Sequence, residues 1–305
     1  MPRVSVLMTI YNPGRFLAPA IDSLLVQTFA DFELVAIENG SRDGSKEIMR
    51  EYARKDARIR FVDLPENIGR TSALNMALQN AQGELVAVLD ADDIASRERL
   101  AREVAFLDSH PDVVLVASHA RSIDDQGAVE GRLEFPCDPA ELFDCLAFSN
   151  PIAHSSVMYR REKAVTVGGY PARYVFAQDF GLWIALAKIG KIAMIPESLA
   201  DIRNHGGRMT QAAELAVKRL RELLELSKSA LALPGYSARA RRLGRWNLAS
   251  GRVHLAWQLF KLRQPLAALS EVAIAFFSAP IYCLRKACGV MSRRLASRAI
   301  SGSSI

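Results

Sequence analysis

Residues 85–93 read Leu85-Val86-Ala87-Val88-Leu89-Asp90-Ala91-Asp92-Asp93. Five consecutive apolar residues without polar alternation describe a strand buried on both faces, and such strands belong to sheets covered by helices on either side. The run then breaks into three carboxylates within four residues. In open α/β sheets ligands bind beyond the carboxyl ends of the strands, so this one stretch predicts both the fold class and the place of its chemistry.

Upstream, the same strand-then-polar pattern recurs. Residues 4–8 are an apolar run closed by the turn cluster Tyr11-Asn12-Pro13-Gly14, and residues 32–37 are a second strand closed by Glu38-Asn39-Gly40-Ser41. A third strand, 59–64, is followed by Pro65-Glu66-Asn67. Helical spacing predicts helices over 16–29 (Leu17, Ile21, Leu24, Leu25), 45–57, 71–81 and 99–109, the last stopped before Pro111, with a fifth strand at 113–117. Further on, 156–159 reads as a short strand, Gly168-Gly169-Tyr170-Pro171 as a turn, and 180–189 as a helix with Asp179 at its start. Strands and helices alternating through short connections predict a mostly parallel sheet with helices on both faces. Tyr11-Asn12, Glu38-Asn39 and Asp90 to Asp93 should then converge on one rim.

Three neighbouring carboxylates repel one another, and a hard divalent cation such as Mg²⁺ or Mn²⁺ with oxygen ligands relieves that repulsion. The same acids could instead cap the helix that follows. Asp179 is likewise open to two readings, a plain helix cap or a functional acid, and His205 and Arg70 each read equally as surface residues.

The ordered set decides more than any one motif. Tyr11-Asn12, the segment from Glu38 to Ser45, Asn67-Ile68-Gly69 through Asn75, and Asp90 to Asp93 follow one another in that order. Downstream come His110-Pro111-Asp112, His154-Ser155-Ser156, Gly168-Gly169-Tyr170, Gln178-Asp179-Phe180-Gly181-Leu182-Trp183 and Arg203-Asn204-His205. Together, over roughly two thirds of the chain, they resemble glycosyltransferase family 2. The resemblance implies a GT-A-like doubly wound sheet. It implies a hexosyltransferase-type enzyme that moves a sugar, with inversion, from a nucleotide-diphosphate donor to an acceptor hydroxyl. It places donor contacts at Thr9, Tyr11, Asn12, Glu38, Asn67, Arg70 and Asp90. A Mg²⁺ or Mn²⁺ ion would sit at Asp92, with Asp90 and His205 beside it, and Asp93 would add a water-mediated contact. Asp179 matches the general base that deprotonates the acceptor. Three positions depart from the family pattern. Asn39 stands in place of the second of two acids, Gln178 where Glu is common, and Gly181 where an acid is common. All three bear on acceptor contacts and nucleotide preference.

Composition sets the remaining bounds. Half of the 305 residues are hydrophobic and 24% are charged, which excludes collagen-like, low-complexity and polytopic membrane chains. The four cysteines, Cys137, Cys145, Cys283 and Cys288, form no CxxC pair and read as reduced thiols. The net charge of +6 divides unevenly: 22 basic against 29 acidic residues up to His205, a net of −7, and 17 against 4 beyond it, a net of +13. We therefore expect a catalytic domain over 1–205 and a basic helical region over 206–305. Residues 272–284 are apolar over about thirteen residues where a span needs about 20, and extension upstream brings in Glu271, so a span is open but not favoured. Arg285, Lys286, Arg293, Arg294 and Arg298 follow. Such a tail suits an anionic membrane surface or, on the other reading, forms a helical appendage packed on the catalytic domain with a solvated basic face. It carries no nucleic-acid reader motif and few aromatics for stacking, so nucleic acid is not expected as a partner. With no secretory leader in the opening residues, the expected setting is cytoplasmic, peripheral on the inner face of the plasma membrane. There the enzyme would act in cell-surface polysaccharide or lipid-linked glycan synthesis on a glycan or glycolipid acceptor. The alternatives are an inactive sugar-nucleotide-binding module and, less well matched in its first loop, a nucleotidyltransferase.

Overall fold

The computed structural model of the protein describes residues 1–205 and 213–280. They fall into two compact units, residues 1–146 with 150–205, and residues 147–149 with 213–280.

The first unit is built on one sheet. Its strands are β1 (Val4–Ile10), β2 (Phe32–Asn39), β3 (Ile59–Leu64), β4 (Leu85–Val88), β5 (Ile94–Ala95), β6 (Val113–Ile123), β7 (Val129–Leu133), β8 (Val157–Arg160) and β9 (Lys191–Arg203). The spatial order is β3-β2-β1-β4-β8-β6-β9-β5, with β7 on the side of β6. The first four strands in that order are mutually parallel, β8 runs against both β4 and β6, and β6 and β9 run parallel again. Six of the nine described strands therefore point the same way.

Both faces are covered, as the apolar runs require. Val6, Met8, Leu34 and Ala36 pack on one side against Leu17, Ile21 and Leu24 of α1 (Leu17–Leu25), Met49 of α2 (Ser45–Lys55) and Leu100 and Val104 of α4 (Arg99–Ser109). On the other side lie α3 (Arg70–Asn80), which packs on β1 and β2, and α7 (Gln178–Leu186), whose Trp183 ring stands 6.2 Å from Tyr159 of β8.

Several boundaries differ from the sequence reading for tertiary reasons. The helix expected over 16–29 ends at Leu25, because Gln27 turns inward: its amide donates to the carbonyls of Ser23 and Ser96 and accepts from the Leu100 N–H. The fifth strand continues to Ile123, and β5, β7, β9, α5 (Pro139–Leu146) and α6 (Arg161–Thr166) have no counterpart in the sequence reading. In β9 the apolar run Ile192–Ile195 is interrupted by Pro196, Glu197 and Ser198, and its pairing with β6 shifts register beside that interruption. A proline inside a run argues against a strand from sequence alone.

The second unit consists of α8 (Ala213–Leu231), α9 (Ala238–Lys261) and α10 (Pro265–Ser278). Val217, Leu220 and Leu224 of α8 meet Leu255, Ala256 and Leu259 of α9, and Ala268 of α10 joins that core. Ser237 caps α9 by accepting the Ala240 N–H at 3.1 Å, and Pro265, which needs no N–H there, opens α10. No helix among the described residues is long and apolar enough to cross a membrane. Residues 281–284 of the apolar tail run and the five arginines and lysines after it lie outside the described residues.

Candidate active site

The carboxylates after β4 are not helix caps. The next helix, α4, starts at Arg99 with Glu98 as its cap residue, and β5 intervenes. Asp90, Asp92 and Asp93 instead bring one carboxylate oxygen each to within 4.8 Å of one another.

Each carboxylate has its own environment. Asp90 receives Arg70 Nη2 on both oxygens, at 2.7 and 2.6 Å, and His154 Nδ1 lies 3.1 Å away. Burial pushes its pKa up, but the Arg70 guanidinium and His154 outweigh burial and hold Asp90 well below the usual carboxylate range. Asp93 is buried, and burial together with the charges of Asp90 and Asp92 pushes its pKa well up, although Ser155 Oγ and the Arg203 N–H both donate to it. Asp92 remains partly exposed, with His205 Nε2 at 2.9 Å.

A short pairing makes this arrangement. β5 runs antiparallel to β9 with Ile94 opposite Asp201 and Ala95 opposite Ala200. That register carries the end of β9 back along the acidic turn. Arg203 there donates its N–H to Asp93, its Nε to the Asp92 carbonyl and its Nη1 to the Asp124 carbonyl. The Phe16 ring supports both neighbours: the Arg203 guanidinium sits 4.8 Å from its centroid and the His205 ring 5.0 Å.

Behind the rim runs a polar chain. His154 Nε2 is 3.2 Å from the Tyr170 hydroxyl, which is 3.3 Å from that of Tyr159, all three groups being buried. Burial pushes both phenols up, so they remain neutral and act only as hydrogen-bonding groups. Ser155 ties the acidic turn together, accepting the Asp90 N–H at 2.9 Å while donating to Asp93.

Asp179 lies in the first turn of α7, but the cap residue is Ala177 and no side chain caps the helix. Its Oδ2 accepts from Asn150 Nδ2 at 3.0 Å, and its charge contributes to holding the Arg70 guanidinium protonated, after the larger effect of Asp90. Gln178, oriented so that both ends are satisfied, accepts from Arg70 Nε at 3.3 Å and donates to the Val175 carbonyl. Arg70 is thus not a solvated surface residue. It is shared among Asp90, His154 and Gln178, and Nη1 has no partner among the described residues.

Thr9, Tyr11, Asn12, Glu38 and Asn67 gather in a second cluster at the ends of β1, β2 and β3. Thr9 lies opposite Ile37 and Ile10 opposite Glu38. Glu38, fully buried, accepts the N–H groups of Gly40 and Ser41, and Asn12, at a φ of 52°, accepts the Arg42 N–H at 2.8 Å. Tyr11 stands exposed. The loops after β2 and β3 touch at backbone distance, since a Cβ on Gly40 would meet the Glu66 carbonyl carbon at 2.6 Å.

Two departures from the family pattern have local causes. Asn39 is buried and uses both ends of its amide, accepting the Ile68 N–H at 2.9 Å and donating to Asn67 Oδ1 at 3.2 Å. A carboxylate there could not donate. At Gly181 a Cβ would come within 2.6 Å of Pro171 Cγ, so α7 packs where no side chain fits.

The structure therefore brings Arg70, Asp90, Asp92, Asp179 and His205 around one rim, and the remaining five expected residues beside it on neighbouring strand ends. His154, Ser155, Asn150 and Arg203 carry the rim without having been given roles from sequence. His154, Ser155 and Arg203 stood in quoted motifs, but Asn150 had no signal.

The profile of Glycosyl transferase family 2 matches residues 5–168. An uncharacterised glycosyltransferase of Methanocaldococcus jannaschii is 31% identical over 208 residues, covering 66% of this chain and 71% of its own. The amylovoran biosynthesis glycosyltransferase AmsE of Erwinia amylovora is 28% identical, covering 65% and 75%. Among solved structures, a mannosyltransferase of Pyrobaculum calidifontis in complex with GDP-Man and Mn²⁺ aligns over 95% of this chain and 81% of its own with a TM-score of 0.60 at 21% identity. TarS of S. aureus in complex with UDP-GlcNAc aligns over 90% and 89% with a TM-score of 0.61 at 18% identity. The fold is GT-A-like, with a helical C-terminal region.

Proposed function

From the premise that the chain belongs to glycosyl transferase family 2 and is a glycosyltransferase, we propose that it transfers a sugar from a nucleotide-diphosphate donor to an acceptor hydroxyl with inversion. The observation that carries this is the single rim on which the Asp90–Asp93 turn, Arg70 and Asp179 meet.

Thr9, Tyr11, Asn12, Glu38 and Asn67 would receive the nucleoside. Their loops are already held by their own hydrogen bonds, so little order need be imposed on binding. Arg70 faces the diphosphate with Nη1, while Asp90 and Gln178 fix its plane. The donor set suits a hard divalent cation: the carboxylates of Asp92 and Asp90 and the imidazole of His205, which fits Mn²⁺ better than Mg²⁺. When bound, that ion would neutralise charge developing on the leaving diphosphate. Asp179, oriented by Asn150, takes the proton of the acceptor hydroxyl as the oxygen attacks the anomeric carbon opposite the departing diphosphate. His154 and Ser155 hold Asp90 and Asp93 in place and touch no reacting atom.

The catalytic domain on this reading spans residues 1–205. Two relatives are named for amylovoran and for teichuronic acid biosynthesis, and a glycan or glycolipid acceptor on the cytoplasmic leaflet is the proposed setting. The module reading loses its support, because Asn39 and Gly181 answer to packing.

The test is release of nucleoside diphosphate from a panel of nucleotide sugars with Mn²⁺, and the anomeric configuration of the transferred sugar. Asp92→Asn should abolish turnover and weaken Mn²⁺ binding while leaving the melting temperature unchanged. Unchanged turnover and unchanged Mn²⁺ affinity in that variant defeat the proposal.

A further inference from the structure

The third helix of the second unit is amphipathic in the reverse sense. α10 turns Ala268 and Ala275 inward and presents Leu266, Leu269 and Phe277 to solvent, at 82%, 65% and 84% exposure. Its one ionisable residue, Glu271, also points inward, to an ion pair with Arg252 of α9. The outward face of α10 thus carries no charge at all. The end of α9 also exposes aromatic rings, Trp257 and Phe260, 56% and 62% exposed and stacked at 6.4 Å. Solvent-exposed apolar area on this scale marks an interaction surface rather than a random scatter of leucines.

The geometry points to an anionic lipid bilayer as what covers it. We infer that α10 and the end of α9 lie in the bilayer interface, apolar face down. Charge argues for lipid over a second copy of the chain. Lys261 and Arg263, both exposed, stand at the turn between α9 and α10, with the Lys261 ammonium 5.2 Å from the Trp257 ring centroid. Residues 206–305 carry 17 basic against 4 acidic residues. Two copies meeting through this apolar face would bring Lys261 and Arg263 of one toward those of the other, whereas anionic headgroups neutralise them. Length argues for lying flat over crossing: fourteen residues at 1.5 Å each make about 21 Å, short of the ~30 Å hydrocarbon core. Tryptophan and cations at the edge of an apolar face are the composition of an interfacial helix. The inference takes up the membrane-side setting proposed above but stands on different residues, so its failure would leave sugar transfer untouched.

The experiment uses the full chain and vesicles of phosphatidylcholine with about 30% phosphatidylglycerol at physiological salt, beside pure phosphatidylcholine. The protein should float with the anionic vesicles and bind the neutral ones at least about tenfold more weakly. The triple variant Leu266→Gln, Leu269→Gln, Phe277→Gln should lose at least about tenfold in partitioning, while its melting temperature and donor turnover match the parent. Sedimentation without lipid should show a monomer. The inference is overturned by no flotation of the parent, by equal binding to both vesicle types, by a variant that binds as well as the parent, or by a parent dimer that the variant abolishes.

Discussion

The two units spend burial in opposite ways. In the first, a sheet with apolar faces encloses charge: Arg99 and Glu103 face each other with no exposure, Asp93 is buried, and Arg70 and Asp90 are locked together at the rim. In the second, α8 and α9 bury leucines against each other, but α10 buries alanines and leaves leucine and phenylalanine in solvent. Buried charge and exposed apolar area both cost stability. The first unit spends that free energy on aiming carboxylates at one point, the second on a surface. Function is therefore sought where each unit departs from the ordinary rule of apolar inside and polar outside.

The contrast breaks first at Asp179. If the charges of the first unit are aimed at chemistry, Asp179→Asn should keep donor binding and the melting temperature, and transfer should fall by about 10²–10⁴-fold. Single-turnover transfer measured beside donor affinity separates the outcomes. Normal transfer would move the base elsewhere and make Asp179 no more than a favourable charge at the start of α7.

Restoring the acid common at position 181 sharpens the same point. Gly181→Asp should not improve acceptor use. It should destabilise the first unit by about 1–3 kcal/mol, since its Cβ meets Pro171 at 2.6 Å. Denaturant unfolding checks this, and a variant as stable as the parent with faster transfer would show that the site wanted the charge.

A further measure is the cost of the Arg99–Glu103 pair. Burial pushes the Glu103 carboxyl up to about 7, against the pull of Arg99, and one oxygen of Glu103 and Arg99 Nη1 have no hydrogen-bond partner among the described residues. The folded state holds this proton more tightly than the unfolded chain. The contribution to stability is therefore full below about pH 4.5 and is lost as pH rises through about 7. Glu103→Gln should remove that fall, about 1–3 kcal/mol across the window, and leave turnover unchanged. Parallel pH profiles of unfolding for parent and variant would refute it if their slopes matched.

Sequence alone determined the parallel half of the sheet and the rim beyond it. Those signals are local: apolar runs at residues 4–8, 32–37, 59–64 and 85–89, each closed within a few residues by glycine, asparagine, proline or aspartate. The resemblance to a family then attached the rim to sugar transfer. Tertiary structure decided what each acid can do. Asp90, Asp92 and Asp93 look alike in sequence, yet one is held ionised by Arg70 twenty residues away, one meets His205 from the end of β9, and one is sealed beneath Ser155 and Arg203. Partners separated by up to 113 positions leave no periodic trace in the chain. The same limit hid β9, broken by Pro196, and β5, two residues long, whose pairing only appears once both lie side by side. The reversed face of α10 was equally hidden. Its residues read as an apolar run, and only packing on α9 shows that the alanines won the interior, because they let the two helices approach while the larger side chains were left facing out.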